Sequence, residues 1–209
     1  MNKVIHYLYD PLCGWCYGAT PAVSALRETH GVNIELLPTG LFSGEGAQPM
    51  NDEFAAYAWS NDQRIEQLTG QPFSQIYRRR VLGNRHHPFD SGAATLALTA
   101  VALRTPSQEF EALKAIQHAR YVDGDDVTSH PKLTDLLNEL GLQAAALLFE
   151  RADAELLEAV HARTTRARVL MQELNARGVP TFIAESGSGR KLLDTRAVYA
   201  NPQALVSQI

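Results

Sequence analysis

The sequence predicts an α/β fold. A small mixed sheet of about four strands, βαβ at the N-terminal end and ββα at the C-terminal end, is interrupted by a large all-helical insertion. Three observations predict it. The apolar run Val4 to Tyr9 leads directly into Cys13-Gly14-Trp15-Cys16 and a helix-forming stretch, residues 51–177 carry almost wholly helical periodicity, and a strand-turn-strand pattern follows Pro180. The division drawn is residues 1–42 for the first part of the sheet unit, 43–175 for the helical insertion and 176–209 for the second part.

The first strand is Val4-Ile5-His6-Tyr7-Leu8-Tyr9, and the helix after it runs from Cys13 through Arg27 with Ala19, Ala22, Val23 and Leu26 as apolar positions. Gly31 stops it, and Val32-Asn33-Ile34-Glu35-Leu36-Leu37 alternates as a second strand, so the unit is a parallel βαβ. Residues 41–50, with Gly44, Gly46 and Pro49, read as a flexible connector into the helices; their place after the second strand would also let them close over the site.

Within the insertion, residues 52–68 place Phe54, Tyr57, Ile65 and Leu68 near one helix face, residues 92–103 are rich in alanine and leucine, and residues 107–121 group Phe110, Leu113 and Ile116. Leu133, Leu136, Leu137 and Leu140 recur at i, i+3, i+4 and i+7 before a stop at Gly141, and residues 153–176 form a long helix. Beyond Pro180, residues 181–184 and 191–193 pair through a turn over 185–190. Asn201-Pro202 then starts a closing helix over 203–209.

Composition narrows the function. The chain has 209 residues, 45% hydrophobic and 20% charged, with 19 Lys and Arg against 23 Asp and Glu and a net charge of -4, which points to neither nucleic acid nor anionic membrane as a partner. No segment approaches the roughly 20 apolar residues of a membrane span. Met1-Asn2-Lys3 enters the first strand without a secretory pattern, so the expected location is the cytoplasm, where a dithiol is kept reduced.

Cys13 and Cys16 are the only two cysteines. A Cys-x-x-Cys between strand and helix reads as a dithiol redox motif, because that spacing across a first helical turn brings the sulfurs within bonding reach. Pro11 fixes the approach and Cys13 falls at the helix start, where free N–H groups and the helix dipole favour a thiolate. Cys13 is therefore the expected nucleophile, and Cys16, one turn in and more buried, the resolving thiol. Gly14 is expected to let the backbone turn tightly, and Trp15 to lay an apolar surface beside the sulfur. A zinc site would need two further ligands at suitable spacing, so no metal is assigned. Inert core cysteines fit the glycine, tryptophan and strand-to-helix position poorly.

The segment Tyr9-Asp10-Pro11-Leu12-Cys13-Gly14-Trp15-Cys16-Tyr17-Gly18, taken with Gly178-Val179-Pro180-Thr181-Phe182-Ile183, resembles the thioredoxin superfamily and specifically its DsbA-like branch. The resemblance implies a thioredoxin fold carrying an inserted helical domain, and a thiol-disulfide oxidoreductase that exchanges disulfides with substrate proteins or small thiols. It makes Val179-Pro180 the cis-proline loop lying against the dithiol. Gly14, Trp15, Pro180 and Asp10 become active-site support, and Val179, Thr181, Pro11 and Tyr17 substrate-facing positions. It implies no cofactor beyond the Cys13-Cys16 disulfide itself, with glutathione as a substrate or co-substrate. One position departs from the pattern: the acid that stands six residues before the first cysteine in thioredoxin and DsbA is here Tyr7, leaving Asp10 and His6 as candidates for its role.

Related DsbA-like proteins include the glutathione-dependent 2-hydroxychromene-2-carboxylate isomerases, which typically carry serine where Cys13 stands; the two thiols here argue against that alternative. A redox-regulated binding or chaperone module is the third reading. Direction of exchange stays open among oxidant, isomerase and reductant, since a tenfold shift in the dithiol equilibrium is only about 30 mV. His86-His87 before Asp90 and Ser91 reads as a solvated turn ahead of a helix cap, with a place beside the dithiol as its functional alternative. Arg78-Arg79-Arg80 reads as a solvated helix face that could attract an acidic substrate, and Asp123-Gly124-Asp125-Asp126 as an interhelical turn.

Overall fold

The computed structural model describes residues 3–187 and 189–209. Met1 and Asn2, part of the expected run into the first strand, and Ser188, part of the expected hairpin turn, lie outside the described residues. The sheet consists of β1 (Lys3–Tyr9), β2 (Val32–Pro38), β3 (Thr181–Ser186) and β4 (Gly189–Leu192) in the order β2-β1-β3-β4. β1 runs parallel to β2, with Ile5 opposite Ile34, and antiparallel to β3, with Tyr7 opposite Phe182; β3 and β4 form an antiparallel pair.

The crossover between the parallel strands is made by two helices, α1 (Gly14–Gly18) and α2 (Thr20–Arg27), where the sequence predicts one. Pro21 explains the break: it sits in the first turn of α2 and has no N–H to continue the α1 ladder. The Thr20 hydroxyl donates to the Tyr17 carbonyl at 2.6 Å, taking the acceptor that the missing N–H leaves.

Between β2 and β3 come α3 (Asp52–Thr69), α4 (Gln75–Arg80), α5 (Gly92–Arg104), α6 (Glu109–His118), α7 (His130–Glu139), α8 (Gln143–Arg151) and α9 (Ala154–Glu173). α6 passes into a π-helical turn, Ala119–Asp123, closed by Gly124 at φ 70°. Asn51 caps α3 by accepting the Phe54 N–H, and Asp153 caps α9 by accepting the Leu156 N–H.

Four expectations need correction. The hairpin strands reach further into the expected turn: β3 takes in Glu185 and Ser186, and β4 takes in Gly189 and Arg190 and stops at Leu192, because the pairing of Glu185 with Arg190 continues the ladder. The inward face of α3 is Ala55, Trp59, Asp62 and Ile65, whereas Tyr57 is 67% exposed and Leu68 lies outside. Ile65 is buried and Phe54 packs against the core as expected, but Tyr57 and Leu68 fall off the inward stripe, whose other places are taken by Ala55, Trp59 and Asp62. In α7, Leu133 and Leu137 are fully buried but Leu140, one residue past the helix end, is exposed. The closing helix is instead two 3-10 turns, Pro202–Ala204 and Val206–Gln208, around a buried Leu205.

Alternation along β1 divides the interior. Ile5, Tyr7 and Tyr9 face the main core, which α1, α2 and most of the insertion share, while Leu8 joins Leu37, Ile183, Ala167 and Leu170 in a smaller cluster under α9. Each fully buried Leu, Ile or Phe side chain contributes about 1.5–3 kcal/mol. α9 also covers the outer edge of β2. Arg163 donates to the Leu36 carbonyl at 2.7 Å and Arg168 to the Thr39 carbonyl at 3.0 Å, so edge carbonyls that could pair with another chain are occupied.

Candidate active site

The chain leaves β1 at Tyr9 and turns into α1 through a short loop braced by Asp10. The Asp10 carboxylate accepts the Leu12 N–H at 2.9 Å, the Phe42 N–H at 3.1 Å and the Ser91 hydroxyl at 2.8 Å. Loop 41–50 and the start of α5 are thereby tied to the approach to the cysteines. Its backbone carbonyl accepts the Cys13 N–H at 3.1 Å.

Cys13 is the N-cap residue of α1, in extended geometry, and no side chain caps that helix end. Both cysteines are free thiols; Cys13 keeps 7% of its surface exposed and Cys16 none. The Cys13 sulfhydryl points at the Val179 carbonyl, 3.8 Å away, and the Val179-Pro180 peptide bond is cis. Gly14, Trp15, Val179 and Pro180 are half-buried around it. Trp15 packs edge-on against Tyr199 with ring centroids 4.9 Å apart and lies under the Arg64 guanidinium at 5.8 Å.

Burial pushes the Cys16 thiol well up from its ordinary value. Its hydrogen bond to Cys13 adds to the rise, and a backbone hydrogen bond from Asp10 works against it. A thiol held protonated beside Cys13 can donate to the Cys13 sulfur. The Tyr7 hydroxyl donates to the Cys16 carbonyl at 3.2 Å, and its ring stacks between Tyr9 and Phe182.

Of the two candidates for the missing acid, Asp10 stands beside Cys16 and His6 does not. His6 lies on the face of β1 opposite Tyr7, held by Glu35 at 2.7 Å and Glu185 at 2.8 Å. Asp10 is fully buried, and that burial raises its carboxyl above the ordinary range against the pull of its three hydrogen bonds.

Gly14 serves a different purpose from the expected one. Its backbone lies outside the positive-φ region, but a Cβ there would sit 2.6 Å from Asp62 Oδ1 and 3.2 Å from Ile65 Cδ1. A Cβ on Gly18 would sit 2.6 Å from Ile65 Cγ2, so the two glycines form a bare stripe, one helical turn apart, on which α3 rests. Pro11 and Tyr17, expected to face substrate, are buried. Tyr17 stacks on Tyr121 at 4.8 Å and packs edge-on against Phe73, which makes it an internal brace. Thr181 is also buried, its hydroxyl donating to the Gly178 carbonyl at 2.6 Å.

The helical insertion adds a polar cluster that no local motif announces. Asp62 is 4% exposed and accepts the Tyr77 hydroxyl at 3.0 Å; burial pushes its carboxyl up to about 7. Arg120, 1% exposed, lies over the rings of Tyr77, Phe89 and Tyr121, with Nε and Nη2 lacking a hydrogen-bond partner. Its charge lowers both Asp62 and Asp10. Tyr121 donates to the Leu12 carbonyl at 2.7 Å. Arg120 and Tyr121 both come from the π-helical turn, an irregularity often found at functional sites. The only sequence signal was that Tyr77, Arg120 and Tyr121 are large residues in an otherwise ordinary helical pattern.

The other clusters stand apart from the cysteines. His87 pairs with Asp126 at 2.7 Å and is exposed, as is His86, whose N–H is taken by Asn84. Ser91 turns to Asp10, and Asp90 accepts the Gly92 N–H. Arg78 covers Trp59 at 5.1 Å. A cleft of about 940 Å³ runs along β2, lined by His6, Glu35, Arg163 and Arg166, and includes neither cysteine nor Pro180. Among the described residues no group of three His, Cys, Asp or Glu gathers as a metal site, and no helix is long and apolar enough to cross a membrane.

A family model described as a DSBA-like thioredoxin domain matches residues 4–201. Among solved structures, the cytosolic disulfide reductase DsbM from Pseudomonas aeruginosa is 35% identical, with a TM-score of 0.87 over 98% of this chain and 96% of that one. The same protein with GSH aligns at 34% identity and a TM-score of 0.86 over 98% of this chain and 96% of that one. A 2-hydroxychromene-2-carboxylate isomerase shares the fold at 17% identity, with a TM-score of 0.59 over 90% of this chain and 87% of that one. A search of curated proteins returns no match.

Proposed function

The chain belongs to the DSBA-like thioredoxin domain family, and on that premise we propose that it is a cytoplasmic dithiol reductase that returns disulfides of proteins or small thiols to the reduced state. The observation that carries the reading is the free Cys13-Cys16 pair at the start of α1, with the Cys13 sulfur facing the carbonyl of Val179 in the cis-proline loop. The likeness to DsbM, a cytosolic disulfide reductase over nearly the whole of both chains, supports both direction and location.

Cys13 attacks as a thiolate. One substrate sulfur bonds to Cys13, the other leaves as a thiolate and takes a proton. Cys16 then gives up its proton and attacks the Cys13 sulfur, the mixed disulfide breaks, and the second substrate thiol departs. Two electrons pass from the dithiol to the substrate, and Cys13-Cys16 becomes a disulfide that two molecules of a monothiol must reduce, one attacking and the second resolving the mixed disulfide as their own disulfide leaves. Glutathione is the proposed small-thiol partner, supported by the DsbM structure with GSH. Substrate would lie against the half-buried surface of Trp15, Val179 and Pro180, with Asp10 bracing the loop from within.

The high proton affinity of Cys16 makes resolution the step most open to interception. Replacing Cys16 by Ser is expected to leave Cys13 captured in a mixed disulfide with glutathione or substrate, seen as a mass increment on the intact protein, while turnover falls to background. Cys13→Ser should capture nothing. Capture by Cys13→Ser, or full turnover by Cys16→Ser, would overturn the assignment.

A further inference from the structure

Asp62 belongs to α3, yet its carboxylate lies against the residue that follows the nucleophile. The Oδ1 atom is 2.6 Å from where a Gly14 Cβ would be, which puts it about 4 Å or less from Gly14 Cα and one peptide unit from Cys13. A side chain at position 14 would displace the Asp62 carboxylate, and since the Gly14 backbone is not in the positive-φ region this approach is what glycine serves there. Around Asp62 stand Tyr77 from α4 and Arg120 and Tyr121 from the π-helical turn, and Tyr121 lies within the fields of both Asp62 and Cys13. Arg120 is shared with Asp10, so one guanidinium serves two buried carboxylates. Asp10 is held by three hydrogen bonds, whereas Asp62 has one, from Tyr77. Asp62 is thus the carboxylate left less compensated, and burial places its titration at about 7.

We propose that the Asp62 carboxylate, held against the dithiol motif by the bare Gly14, opposes the thiolate of Cys13 and so biases the pair toward giving electrons away. The physical argument is one of sign. A negative charge in a dry site raises the energy of a second negative charge nearby, and whatever destabilises the thiolate destabilises the reduced form relative to the disulfide. A dithiol whose reduced form is strongly stabilised is an oxidant, so a buried acid against the residue that follows the nucleophile pushes the other way. With Asp62 protonated, below neutral pH, the opposition disappears. The two groups then titrate as a coupled pair, and Tyr77 modulates it by stabilising the ionised carboxylate.

The inference rests on the oxidoreductase reading, and the experiment separates the two. The parent, Asp62→Asn and Tyr77→Phe are prepared as Cys16→Ser versions for alkylation of Cys13 by iodoacetamide between pH 5 and 9 at about 25 °C. The same three with both cysteines are equilibrated in glutathione buffers at pH 8. Asp62→Asn is expected to move the alkylation profile to lower pH and turn a two-step profile into one step. It should also shift the dithiol equilibrium about tenfold toward the reduced form, about 30 mV. Tyr77→Phe should shift the profile in the same direction by less, which a merely structural role would not produce, and it gives a result even if Asp62→Asn fails to fold. Profiles and equilibria that coincide across parent and variants would overturn the role of Asp62 alone. A parent that forms no Cys13-Cys16 disulfide would overturn the oxidoreductase reading and this inference with it.

Discussion

Two cysteines one helical turn apart meet different surroundings. Cys13 is the N-cap of α1 and reaches the surface, while Cys16 is sealed under Tyr7 with its proton held by burial. Gly14 separates them and is fixed by its neighbours Asp62 and Ile65. Gly14→Ala is therefore expected to cost about 1–3 kcal/mol through overpacking, read as a lower urea midpoint with an unchanged slope. An unchanged midpoint would mean that α3 yields freely and that the contact sets nothing. The cysteines and Pro180 were legible because each belongs to a short motif with a fixed chemistry. Asp62, Tyr77 and Arg120 were not, because their meaning comes from contacts between separate elements, Asp62 to Gly14 across 48 positions of chain, Tyr77 to Asp62 and Arg120 over the Tyr77 ring, and an acid inside a helix carries no local mark.

β1 is fastened to both neighbours through a single imidazole. His6 is buried, and Glu35 of β2 and Glu185 of β3 each hold one of its ring nitrogens. The hydrogen bond that His6 donates to Glu35, reinforced by the one to Glu185 against the cost of burial, raises its pKa from 6.5. A raised value means that the clamp's contribution is fully present below the unfolded-state value and is lost as pH rises through the folded one. The melting temperature of the parent should accordingly fall on going from about pH 6.5 into the alkaline range by more than that of His6→Gln. Equal pH dependence in both proteins would remove His6 from the stability account. β1 and β2 were read to within one residue of their ends, but β3 and β4 extend into residues assigned to the turn, and the helices show where periodicity alone fails. In α3 size alone pointed to Tyr57 and Leu68, and in the crossover Pro21 outweighed a continuous helical pattern.

The molecule as a whole brings two distant parts of the chain to one place. The sheet unit supplies the dithiol from the end of β1 and the proline loop from the start of β3. The insertion supplies Asp62, Tyr77, Arg120 and Tyr121 from the side. The mixed sheet with a helical insertion was legible because strand and helix periods differ and the interval between the two motifs is too long for a simple crossover. The closing segment was not, since Pro202 and a nine-residue tail can satisfy either an α-helix or the 3-10 turns that bury Leu205.

Whether Cys13 and Cys16 form a two-electron couple poised to reduce is decided by equilibrating the parent protein across graded glutathione and dithiothreitol buffers, trapping free thiols and weighing the products. A reducing couple gives one cooperative two-electron transition with a midpoint near that of thioredoxin, about -270 mV, and no glutathione retained on the oxidised protein. A midpoint near that of DsbA, about -120 mV, would contradict the direction. Failure to form any intramolecular disulfide would contradict the couple itself.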